Sequence, residues 1–84
     1  MAKSRDKLYF LYKTSVQNKY IAHQLTEYLD CIVKNGYWNF DLEDKDKVLR
    51  IISDYDVRPL VENLLINKMN LMCIELHYLP NETI

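Results

Sequence analysis

The chain has 84 residues, 49% of them apolar and 27% charged, which describes one domain near the lower size limit for a self-sufficient core and too apolar for a disordered segment. One Gly and two Pro leave few tight turns, which argues against a barrel or sandwich of many short strands. The net charge of −1 hides a dipole: residues 1–40 carry six Lys/Arg against three Asp/Glu (+3), and residues 41–84 carry five against nine (−4). Such a chain pairs its halves internally or offers patches of opposite sign to partners. No apolar run approaches the roughly 18 residues of a membrane span. Cys31 and Cys73 are too few for a disulfide framework, and MAKSRDK leads into no cleavage-like site. A cytoplasmic protein with reduced thiols is the expectation.

In chain order, residues 1–6 read as a polar tail. Lys7–Lys13 (KLYFLYK) is short, aromatic and aliphatic, a composition that suits a pleated surface, with the first turns of a helix as the alternative. From Thr14 to Gly36 the periodicity is helical, with Ile21, Leu25, Tyr28, Leu29 and Ile32 on one face. Thr14 and Gln17 have capping-box spacing, and Gly36 stands where a left-handed C′ residue is wanted. Tyr37–Phe40, three aromatics in four residues, reads as a short extended segment laid across the core, with the exposed tip of a binding surface as the alternative. Asp41, with Glu43 and Asp44 behind it, predicts the acidic start of a second helix running to about Asp54, with Leu42, Val48, Leu49 and Ile52 as its apolar side. Asp56 predicts the cap of a third, with Pro59 in its first turn and Val57, Leu60, Val61, Leu64 and Leu65 as its stripe. Leu71–Leu79 alternates and predicts a second strand, or continuation of the third helix; residues 80–84 read as a tail. The fold class that follows is α+β, a small single domain (1–84) of three helices packed on two short, mutually paired terminal strands. If both terminal segments are helical, an all-α bundle of three or four helices replaces it.

Chemistry-bearing constellations are scarce. His23, Cys31, Cys73 and His77 nominally form a two-Cys, two-His set. His23 and Cys31 would lie about 12 Å apart along a helix, too far to share an ion, so no metal and no cofactor are expected. No Gly-rich turn, nucleophile elbow, phosphate loop or H-E-x-x-H motif occurs, and the expectation is a non-enzyme. For nucleic acid, the one basic footprint is Lys3, Arg5, Lys7, Lys13 and Lys19, interleaved with Tyr9 and Tyr12 as stacking surfaces. The pI of about 6.1 lacks the usual basic signature.

The first predicted helix carries a second apolar strip, Val16, Tyr20 and His23, opposite its main stripe, and such a strip needs a cover. The expectation is therefore a protein-interaction module that binds and modulates a partner protein, in the manner of a small bacterial or phage-type inhibitor or adaptor. Its contact residues would be Val16, Tyr20 and His23, then Tyr37 and Trp38. The alternative is a nucleic-acid-binding regulator using the basic N-terminal segment, and a third reading is a homodimer.

Overall fold

The computed structural model describes residues 7–76. Over that span the elements are β1 (Leu8–Thr14), α1 (Lys19–Ile32), β2 (Tyr37–Asp41), β3 (Val48–Ser53), α2 (Arg58–Glu62, continuing as the π-helical stretch Asn63–Lys68) and β4 (Cys73–Leu76). The strands form one antiparallel sheet in the order β2-β3-β1-β4. β3 lies between β1 and β2, and β1 lies between β3 and β4, so two βαβ units interleave in the split-βαβ arrangement. Two helices on a four-stranded sheet replace the expected three helices on two terminal strands, and the all-α bundle is excluded with it. β1 and β4 do pair, from Leu11 opposite Leu76 to Thr14 opposite Cys73, but β1 is a central strand whose longer partner is β3. Residues 1–6 and 77–84, including both expected tails and the end of the second predicted strand, lie outside the described residues.

The largest correction falls on 41–54, expected as a helix and found as the end of β2, a turn and β3. The acidic residues that predict a helix start perform the same side-chain-to-amide bonding in a turn. Asp41 Oδ1 accepts from the Asp44 amide at 3.3 Å, and Asp44 Oδ1 accepts from the Asp46 amide at 2.8 Å. Lys47 then reverses the chain with a positive φ of 48°. Beyond it Val48, Ile51 and Ile52 are β-branched and favour a strand, in which Leu49, Ile51 and Ser53 turn inward while Arg50 turns out.

The first helix is also shorter than its sequence signals. Thr14 is the buried last residue of β1, its hydroxyl donating to the Lys47 carbonyl at 2.6 Å and accepting from the Val16 amide. The cap is Asn18, whose Oδ1 accepts from the Ile21 amide at 3.0 Å. α1 buries Leu25 and Leu29, and Ile21 and Ile32 pack beside them. Gly36 has no positive φ; a Cβ there would stand 1.9 Å from the Ile52 carbonyl oxygen. Closeness of backbone to β3, and not left-handedness, is what requires glycine.

Asp56 accepts from the Arg58 amide two residues on, one position earlier than a capping residue, and Val57 is the N-cap of α2. The π-turn is closed by the Met69 amide donating to the Leu64 carbonyl at 3.0 Å, five residues back. Both Leu64 and Leu65, adjacent in sequence, are buried there. All the helical core residues gather with Phe10, Tyr12, Leu49 and Ile51 in one cluster. Those four share one face of the sheet by register, so the described helices cover that face.

Candidate binding surface

Strand alternation fixes what the second face presents. Opposite the core residues, β1 turns out Tyr9, Leu11 and Lys13; β2 turns out Tyr37, Asn39 and Asp41; β3 turns out Val48, Arg50 and Ile52; β4 turns out Ile74 and Leu76. The pairing aligns them in rows across the sheet: Tyr37–Ile52–Tyr9, then Asn39–Arg50–Leu11–Leu76, then Asp41–Val48–Lys13–Ile74. Seven of these eleven positions are apolar or aromatic, where a solvated antiparallel face would alternate to polar side chains. Tyr9 is 51% exposed, Tyr37 56% and Ile74 50%. A depression of about 270 Å³ lies at the tyrosine end, walled by Tyr9, Leu11, Tyr37, Arg50 and Ile52.

The charges on this face are matched in place. Arg50 Nη2 stands 3.4 Å from Asp41 Oδ2, and Lys13 Nζ stands 3.6 Å from Asp46 Oδ1. Asn39 Oδ1 is shielded from solvent and has no donor among the described residues.

The covered side holds the perturbed titratable groups. Tyr12 is fully buried and its hydroxyl donates to Glu62 Oε2 at 3.4 Å. Burial, followed by the carboxylates of Glu62 and Glu75, holds its pKa well above the ordinary tyrosine value. Burial and the same two carboxylates push the Cys73 thiol up to about 12, so at neutral pH it is protonated and a poor nucleophile. Arg58 pairs with Asp56 at 2.8 Å and Glu75 at 3.6 Å and sits over the Phe10 ring. Its hydrogen bonds hold Asp56 at about 2. This cluster ties α2 to β1 and β4, and its phenol, guanidinium and carboxylates are paired with one another. Among the described residues no three His, Cys, Asp or Glu side chains gather to hold a metal ion, and no helix is long and apolar enough to cross a membrane.

The residues singled out from sequence divide accordingly. Val16 is wholly buried in the core, which removes it as a contact residue. Tyr20 is 72% exposed and His23 is exposed, both on α1 and away from the outward sheet positions. Tyr37 belongs to the open face. Trp38 points to the helix side, where its Nε1–H donates to Asp30 Oδ1 at 2.9 Å. Of the basic footprint, Lys3 and Arg5 lie outside the described residues, Lys7 donates to the Asn35 carbonyl, Lys13 is paired, and Lys19 is exposed at the start of α1. Tyr12 is buried, so Tyr9 alone of the two interleaved tyrosines can stack on anything. Arg50 and Ile52 are not legible from sequence as surface residues of a sheet, because their stretch predicts a helix and becomes a strand only through its pairing with β1 and β2.

Compared with family models, curated proteins and solved structures, the chain gives no match. The split-βαβ arrangement carries many unrelated functions, so the outward face itself is what bears on function.

Proposed function

We propose that this chain is a small protein-interaction module that binds and modulates a partner protein, most simply as an inhibitor, through the outward face of its sheet. One observation supports the reading above the rest: the outward positions are mostly apolar and aromatic while, among the described residues, the helices cover only the opposite face. Domains are built from packed layers, and among the described residues no second layer covers this face. The pairing of Arg50 and Lys13 with their own carboxylates leaves a neutral apolar face suited to an apolar protein surface. Tyr9 and Tyr37 are the anchors, since aromatics at the centre of an interface supply much of its energy.

The test uses wild type, Tyr9→Glu and Tyr20→Glu as baits, each verified as folded by circular dichroism. A nuclease-resistant partner held by wild type and Tyr20→Glu, and released by Tyr9→Glu, is the expected result. Release by Tyr20→Glu with retention by Tyr9→Glu would move the contact to α1 and end the open-face reading. A second reading has its own observation: Tyr37 and Tyr9 flank Ile52 in one row, and exposed aromatics on a four-stranded sheet can stack single-stranded bases. Salt separates the two, because phosphate contacts lose affinity steeply with ionic strength and an apolar protein contact does not.

A further inference from the structure

β2 is the last strand of the sheet on its side, and among the described residues no strand and no backbone hydrogen bond engages its outer edge. Exposed edges are usually guarded by Lys, Pro, a bulge or brevity. β2, Tyr37-Trp38-Asn39-Phe40-Asp41, has no Lys or Pro, and its register with β3 runs unbroken from Tyr37 opposite Ile52 to Asp41 opposite Val48. The other edge strand, β4, carries Glu75 within its described span, Cys73–Leu76, whereas the one charge of β2, Asp41, stands at its end. β2 is therefore the unguarded edge.

Its sequence is complementary to itself. Laid antiparallel on a second copy with Asn39 opposite Asn39, the strand places Tyr37 opposite Asp41 and Trp38 opposite Phe40. On the outward face a phenol then meets a carboxylate at each end, and two amides meet at the centre. On the helix face each indole meets a phenyl ring, extending the edge-to-face Trp38–Phe40 pair already present at 6.0 Å within the strand. Asn39 Oδ1 lacks a donor among the described residues. The amide turns easily about χ2, and a facing Asn39 supplies an N–H. A slip of one residue sets the outward face against the helix face, and a slip of two leaves three residues overlapping. We infer that two copies of this chain join antiparallel through β2, about a two-fold axis at Asn39, into one continuous eight-stranded sheet. The same strand supplies both members of every pair, which selects a second copy over a foreign strand. The seam is about 17 Å long at about 3.4 Å per residue, so the dimer forms at the weak, concentration-dependent end of specific association.

Sedimentation equilibrium from micromolar to millimolar protein tests this. The expected mass rises from 10.1 kDa towards twice that value, and β2 amide exchange slows as it does. Asn39→Asp and Asn39→Lys each place like charges face to face on the axis and are expected to weaken association by roughly tenfold or more. An equimolar mixture of the two regains a heterodimer, because position 39 meets itself. A wild type that stays monomeric at millimolar concentration overturns the inference. So does dimerisation with unchanged β2 exchange, a readout that needs no variant, or a mixture that fails to pair although both variants are folded. The seam draws Tyr37, Asn39 and Asp41 from the rim of the outward face, so the two readings are separated by Tyr9→Glu, two strands in from β2: it is expected to leave self-association unchanged while releasing the partner protein.

Discussion

Replacing Gly36 by Ala probes the join between α1 and the sheet. The new Cβ would lie 1.9 Å from the Ile52 carbonyl oxygen, 2.9 Å from its carbon and 3.0 Å from Val33 Cγ1, against an ordinary contact of about 3.5–4 Å. The Ile52 backbone sits in β3, laddered to β2 on one side and β1 on the other, so it cannot retreat alone. Overpacking costs about 1–3 kcal/mol where side chains can adjust, and a clash with laddered backbone belongs at or above the top of that range. The reduced freedom of the unfolded Ala chain offsets about 0.4–1 kcal/mol, leaving a net loss of about 2–3 kcal/mol. A domain of this length has about 4–13 kcal/mol in all. With a urea slope of about 1 kcal/mol/M, the midpoint should fall by about 2–3 M. Gly36→Asn is the discriminating partner, because Asn is accepted at a left-handed C′ position but not where space is missing, and it should lose as much as Ala. A midpoint shift under about 0.5 M for Ala, or an Asn variant close to wild type, would refute the argument from space.

Two further outcomes follow from buried or capping groups. Tyr12 has a folded pKa raised above its unfolded value near 10, so its contribution is fully present below about pH 10 and is lost above it, as the unfolded tyrosine ionises while the folded one does not. That adds a slope of up to about 1.4 kcal/mol per pH unit, which Tyr12→Phe should remove; urea midpoints falling in parallel for both proteins at alkaline pH would contradict the burial of this hydroxyl. Asn18→Ala should cost about 1 kcal/mol by removing the α1 cap, measured by thermal or urea unfolding. A larger loss from Gln17→Ala would restore the Thr14 capping box instead.

What the sequence made legible is the period of its apolar residues, and what it concealed is where the period changes. Leu25, Leu29, Val61 and Leu65 are core residues on helices, as their spacing predicts. The stretch Val48–Ser53 has inward residues Leu49, Ile51 and Ser53 at a period of two, but six residues are too few to separate that pattern from a helical one when acidic residues stand in front of it. Turn and cap use the same side-chain chemistry, and only the pairing of Leu49 with both Tyr12 and Phe40 decides between them. The candidate surface was half visible for the same reason. Tyr37 stands out in the sequence as one of three aromatics within four residues, whereas Ile52 and Arg50 acquire meaning only once β3 exists.

The central position of β1 also sets an order of events. It precedes every residue it pairs with: Leu8 must wait for Ser53, and Thr14 for Cys73. Until those segments arrive, Phe10 and Tyr12 have no ladder on either side, and α1 has only part of its floor. The loops to be closed are long, and folding slows as sequence separation grows; β4, the last of the described strands, completes the sheet. A chain released before β4 would leave its oldest strand as an edge, with Tyr12 bared at the place where the finished molecule buries it most deeply.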